Sequence, residues 1–173
     1  MEVKKQSKQS FDEVQQFLTF LLAGEEYAVS ILKVKEILEY DTVTTVPNVP
    51  KWISGVLNLR GSVVPIVDIA LKFGRAASEI TKLTCIVIVE TICEGERLTM
   101  GILVDSVSQV IDLPAEDIEE PPSFGTRLKT EYLQGLGRSG KKFCLILNID
   151  NVLASEELLE VSAAINEETA VEQ

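Results

Sequence analysis

The stretch from Trp52 to Phe73, WISGVLNLRGSVVPIVDIALKF, constrains the fold more than any other. Two apolar runs, 55–59 and 63–67, flank Arg60-Gly61-Ser62, and a glycine after a charged residue between β-rich runs reads as a hairpin turn. Runs this apolar are strands buried on both faces, and Pro65, which cannot donate to a ladder, indicates an edge or bulge position. The hairpin is core on its arms and charged at its tip.

Elements of the same kind surround it. Phe17–Leu22 and Tyr27–Val29 read as strands about a turn at Gly24-Glu25-Glu26. From Ser30 the pattern changes: Ile31, Val34, Ile37 and Leu38 recur at three- and four-residue spacing, which predicts a short Ser-capped helix or helical turn with Ile31, Val34 and Ile37 in the core. Pro47-Asn48-Val49-Pro50 forces an extended loop into the central hairpin. A short helical segment follows Asp68, and 76–82 is the one linker. Strands are expected over Thr84–Val89, Leu98–Val104 and Phe143–Ile149, with Val107, Val110 and Ile111 at helical or mixed spacing. Glu116–Gly125 is an acidic loop. Helical segments after Asp150, with Ser155 as a cap, form a C-terminal helix.

The two halves resemble each other. A shift of 80 sets Trp52-Ile53-Ser54-Gly55 on Tyr132-Leu133-Gln134-Gly135 and Ile66-Val67-Asp68-Ile69 on Ile146-Leu147-Asn148-Ile149. A shift of 73 sets Val29, Ile31, Val34 and Ile37 on Ile102, Val104, Val107 and Val110. An all-β chain follows, of two units of about five strands each. A curled five-stranded sheet covers its own edge by closing into a barrel, so paired small barrels are expected, and a single β-sandwich is the alternative. The first barrel is placed at about 15–75 and the second at about 83–150, with terminal elements open to exchange between them. Residues 1–14 read as a flexible tail and 161–173 as a frayed one.

Sixteen basic against 27 acidic residues give a net charge of −11, which disfavours nucleic acid and anionic lipid as partners. No apolar run approaches the ~18 residues that span a bilayer, and no secretory signal is evident, so a cytoplasmic location is expected. The chain has no histidine, which removes Ser-His-Asp, Cys-His and His-metal chemistry. Cys85, Cys93 and Cys144 read as inert thiols. No phosphate-binding glycine motif is complete; Gly135-Leu136-Gly137-Arg138-Ser139-Gly140 lacks its lysine. Asp68 and Asp105 remain as acid-base candidates, but an aspartate ending a strand before a helical turn is ordinarily an N-cap. Neither a metal nor a cofactor is called for, and no enzyme is expected. Arg60 is either a solvated turn residue or the charged rim of an apolar interface. Val34 with Glu36 is either core or the border of a groove that accepts a partner helix. A small-ligand sensor with its cavity between the barrels is a further alternative.

The segments EEYAVSILKVKEI, VPNVPKWISGVLNLRGSVVPIVDI, MGILVDSVSQV, EYLQGLG and LILNID, in this order, resemble the CheW family of bacterial chemotaxis coupling proteins. The resemblance covers Gln16 to about Leu159, within a domain at 15–160. NLRG closely followed by VPIVDI is its most specific part. The same domain forms the regulatory end of CheA kinases and the front half of CheV, and a stand-alone coupling protein is expected because no kinase or receiver segment fits in the remaining residues. The resemblance implies two SH3-like five-stranded barrels and a scaffold without catalysis. It implies that the domain joins the cytoplasmic hairpin tips of methyl-accepting chemotaxis receptors to the regulatory domain of the histidine kinase CheA, within receptor arrays. Carried over to this chain, the receptor-facing set is Val34, Glu36, Gly55, Arg60, Val107 and Gly135, around the groove between the barrels. The kinase is expected at barrel ends, without residue assignments.

Overall fold

The computed structural model describes residues 14–41, 43–121, 129–154, 160, 161 and 163. Eleven strands follow in chain order: β1 Gln15–Leu22, β2 Glu25–Ser30, β3 Val34–Glu39, β4 Ile53–Leu59, β5 Ser62–Asp68, β6 Cys85–Cys93, β7 Glu96–Val104, β8 Ser106–Leu113, β9 Ile118–Glu119, β10 Leu133–Ser139 and β11 Lys142–Leu147. Short helices α1 Ile69–Lys72 and α2 Ile149–Val152 each follow the last strand of a half. Asp68 caps α1 and Asn148 caps α2, each accepting from the backbone N–H three residues on. The C-terminal helix expected after Asp150 lies largely outside the described residues, as does its cap at Ser155, although Glu160, Val161 and Ala163 are helical.

The strands form a six-stranded sheet ordered β8-β1-β2-β11-β10-β9 and a five-stranded sheet ordered β3-β6-β7-β5-β4. The sheets therefore do not follow the halves: elements are exchanged between them. The opening hairpin of each half, β1-β2 or β6-β7, is built into the sheet of the other half. Parallel ladders lock the exchange, Ile66 opposite Gly101 and Ile146 opposite Ala28. A side chain on Gly101 would place its Cβ 2.5 Å from Ile66 Cδ1, so this crossing admits no bulk. Shifting Ile66 by 80 and Ala28 by 73 reproduces one ladder from the other, so the internal similarity in the sequence is a similarity of place.

Three buried clusters explain the exchange. Phe17, Ala28, Leu113, Cys144 and Ile146 fill the six-stranded barrel; Val64, Ile66, Ile86, Ile88 and Leu103 fill the five-stranded one. The third and largest joins Leu18, Phe20 and Tyr27 of one sheet to Val87, Val89 and Met100 of the other. The exchanged hairpins thus bury one face inside a barrel and the other between barrels, which is why their strands read as apolar on both faces.

The helix expected from Ser30 to Leu38 is corrected to one turn and a strand. Ser30 Oγ accepts from Leu32 N and caps a 3-10 turn at Ile31–Lys33, after which β3 runs extended. Ile37, expected in the core, is 43% exposed on the outer face of this edge strand. The helix-like spacing is the mark of a bulge: the register with β6 skips between Val34 and Glu36. Val34 then packs against the between-barrel cluster and Leu38 against the barrel interior, although four residues apart on a regular strand they would share a face. Strand β8 repeats this, its skip beyond Val107 sending Val107 to the junction and Ile111 into the other barrel.

Candidate functional site

The β4–β5 hairpin ends in a tight turn at Arg60 and Gly61, with φ of 50° and 89°. Both central residues in the left-handed region make this the hairpin turn that matches strand twist. Asn58 Oδ1 accepts from Gly61 N at 2.9 Å and fixes the turn. A residue with a Cβ is held where glycine or asparagine costs less. The Arg60 guanidinium pairs with the Glu36 carboxylate of β3, the arginine 72% and the glutamate 27% exposed.

These two residues, the expected rim, stand on one pocket of about 370 Å³. Its apolar walls include Leu59, Val63, Pro65 and Leu98. Sequence reasoning missed Lys35 and Arg97, which line the same pocket and share the Glu90 carboxylate at 3.5 Å and 3.9 Å. Only the pairing of three strands brings them together, and the bulge at Lys35 removes the alternation that could have placed it.

The other four expected residues lie elsewhere. Val34, two positions before Glu36, and Val107 both pack against the between-barrel cluster. Gly55 and Gly135 occupy equivalent places in different sheets, each just after a register skip. Gly55 has φ of 150°, and a Cβ there would lie 2.2 Å from Thr44 O. At Gly135 a Cβ would lie 2.9 Å from Glu119 O of the neighbouring strand β9, so the two strands approach closely there. Gly135 is thus in a strand, and close approach rather than a turn accounts for it.

A second cluster at the junction was also missed. Phe20, Tyr27, Phe73 and Tyr132 follow one another with ring centroids 6.2, 6.0 and 5.7 Å apart. Lys72 Nζ sits 4.0 Å above the Trp52 ring and Lys129 Nζ 5.7 Å from that of Tyr132. The match of Trp52 to Tyr132 in the repeat was its sequence signal. Burial pushes the Tyr27 phenol above its usual range, with the Glu25 carboxylate adding and Arg75 opposing.

Asp68 is almost wholly buried and accepts from Leu71 N, Ser78 N and Ser78 Oγ at 3.3, 3.0 and 3.0 Å. Asp105 accepts from Ala23 N at 2.9 Å. Asp68 is thus the N-cap expected, whereas Asp105 stands between β7 and β8 and caps no helix, its carboxylate tying down the β1–β2 turn instead. Asp105 also lines a pocket of about 420 Å³ walled by Ala23, Ala70, Ala76 and Leu83, which Asp68 does not line. Among the described residues no cluster of His, Cys, Asp and Glu could hold a metal, and no helix is long and apolar enough to cross a membrane. Burial raises the Cys144 thiol to about 11, with Glu26 adding and a backbone hydrogen bond from Gly137 opposing. Cys85, Cys93 and Cys144 are all free.

Two interlocked SH3-like barrels with an ion-paired turn beside a pocket of mixed apolar and charged walls fit an adaptor module, a class that works by holding partners. The CheW-like domain model matches residues 16–157, and the chain belongs to this family. It is 44% identical over 144 residues to a chemotaxis protein CheW of Klebsiella aerogenes, covering 83% of this chain and 84% of that one. A chemotaxis protein CheW of Treponema pallidum is 30% identical over 151 residues, covering 87% and 89%. The crystal structure of the scaffolding protein TtCheW from Thermoanaerobacter tengcongensis superposes with a TM-score of 0.73 at 28% identity, covering 83% of this chain and 90% of that one. The chain is a chemotaxis adaptor, a scaffold and not a catalyst.

Proposed function

We propose that this adaptor couples the cytoplasmic hairpin tips of methyl-accepting chemotaxis receptors to the regulatory domain of the histidine kinase CheA. The observation that carries the reading is the Arg60–Glu36 pair on the rim of a pocket walled by both apolar and charged side chains. Apolar walls grip one face of a receptor helix, while the ion-paired rim fixes its orientation. Val34 and Val107 support that surface from the junction core, and Gly55 and Gly135 shape it by letting neighbouring backbone approach. The kinase meets the barrel ends, one barrel of each partner on one of the other. The adaptor is cytoplasmic and reaches the membrane only through these protein contacts. Contacts of modest strength gain avidity when joined in a lattice.

The test is CheA autophosphorylation with a receptor signalling fragment, with and without the chain and its Arg60→Ala variant. Receptor-dependent activation by the wild type, reduced in the variant, is expected. No effect of the folded wild type with cognate partners would remove the reading.

A further inference from the structure

The pocket beside Arg60 is a gap in the wall of the five-stranded barrel. Strands β5 and β7 pair in parallel only from Ile66 and Gly101 onward. Just before that point stands Pro65, which has no N–H to continue the ladder. Ser62–Pro65 and Arg97–Thr99 are therefore unpaired with each other, and both runs line the pocket. In the β6–β7 ladder Ile92 opposes Arg97, and Ile92 N donates to Asp150 Oδ1 at 3.0 Å instead of to β7. Residues opposite one another in an antiparallel pair exchange both bonds or neither, so the Arg97 backbone is also turned away from its partner strand, with its N–H toward the gap.

Charge in the gap runs against that of the chain. Lys35, Arg60 and Arg97 line it together with Glu36, and the Glu90 carboxylate serves both Lys35 and Arg97. Three positive charges less two negative leave a local +1 where the whole chain carries −11. One carboxylate shared by two cations leaves both incompletely paired, and the 3.9 Å from Arg97 to Glu90 is beyond hydrogen-bond range. The Arg97 side chain is 78% exposed, and its guanidinium carries five N–H donors. Val63 and Leu98 supply apolar wall, and Ser62 and Thr99 add a hydroxyl on each strand. A ligand that satisfies such a site carries carboxylates on an otherwise apolar face.

We propose that the partner helix seated here is recognised through carboxylates it presents to Lys35 and Arg97, and that these two residues determine specificity at the site. The inference rests on the receptor reading and deepens it: Arg60 and Glu36 orient a helix, while Lys35 and Arg97 select an acidic one. Selection works by rejection as well as attraction, because a basic residue on that face of the helix would meet a site already one positive charge in excess. Lys35 and Arg97 share Glu90, so the loss of either leaves that carboxylate to the other, and the two act as a unit.

The test is a cycle of titrations. The wild-type chain and its K35Q/R97Q variant are each titrated with a receptor signalling fragment, and with the same fragment whose acidic tip residues are changed to their amides. Against the acidic fragment the variant should bind about 10-fold more weakly and with a shallower dependence on salt. Against the amide fragment the two chains should bind alike, and K35R/R97K should keep most of the wild-type affinity for the acidic one. Equal affinity of wild type and K35Q/R97Q for the acidic fragment at every salt concentration would overturn the inference, leaving the receptor reading in place where Arg60→Ala still weakens binding. An equal loss against both fragments would assign the effect to packing and overturn it as well. Failure of the folded wild type to bind the acidic fragment would overturn both.

Discussion

Arg60→Ala separates a binding residue from a structural one. Its side chain is mostly solvated, and it stabilises the fold only through the pair with the half-buried Glu36 carboxylate. Exposed ion pairs contribute about 0.2–1 kcal/mol, and in a chain of this length 1 kcal/mol moves the melting temperature by about 2–4 °C. Alanine keeps the positive φ of 50° at a backbone cost like that of arginine, so no strain is added or relieved. At an interface the same truncation removes a forked donor from an apolar surround, a change of about 2 kcal/mol or more where arginine anchors contact, or roughly 30-fold in affinity. Thermal unfolding followed by circular dichroism gives the first quantity, and titration of a receptor signalling fragment the second. A melting temperature within about 4 °C of wild type, together with a large loss of affinity, is expected. A fall well beyond that range would show the turn to be structural, and unchanged affinity would remove Arg60 from the binding surface.

Gly55→Ala should behave oppositely. With a Cβ at 2.2 Å from Thr44 O and φ of 150°, the fold loses about 2–4 kcal/mol in urea unfolding, and a loss under about 0.5 would show that the strand yields freely. The Cys144 thiol is raised to about 11 from an ordinary value near 9, so the unfolded chain ionises first; stability should be full below pH 9 and decline up to about pH 11. Cys144→Ser should flatten that decline, and an unchanged profile would assign it to other groups. Cleaving the backbone within 76–82 should leave one compact heterodimer on gel filtration, because β2 pairs with β11 and β5 with β7 across the cut. Separation of the fragments under native conditions would show that the exchanged hairpins do not hold the halves.

Much of this architecture was legible because hydrophobic pattern and turn chemistry agreed at most points. The β4–β5 hairpin, the Asp68 cap and the duplicated blocks all follow from local residues. The helix read through Val34–Leu38 failed for a physical reason: a bulge adds one residue to a two-residue period and imitates helical spacing. The exchange of β1-β2 and β6-β7 had no local signature, since a strand buried on both faces looks the same whichever sheet it joins. At the site, Glu36 and Arg60 stood as alternatives in the residues and were selected by the resemblance, and they meet in space, whereas Lys35 and Arg97 needed three-dimensional pairing to be seen.

The bulge that misled the periodicity also ties the pocket to the junction. Within three residues of β3, Val34 faces the core between the barrels and Glu36 faces the pocket and Arg60, and only a break in the alternation at Lys35 allows both. The edge strand therefore cannot shift at the pocket without disturbing the packing of Val34 against the cluster that holds both barrels. Strand β8 repeats the bulge in the other sheet, where Val107 faces the same cluster from the opposite side. A partner held at the ion-paired rim, as proposed above, would press on an element anchored in the core that both barrels share.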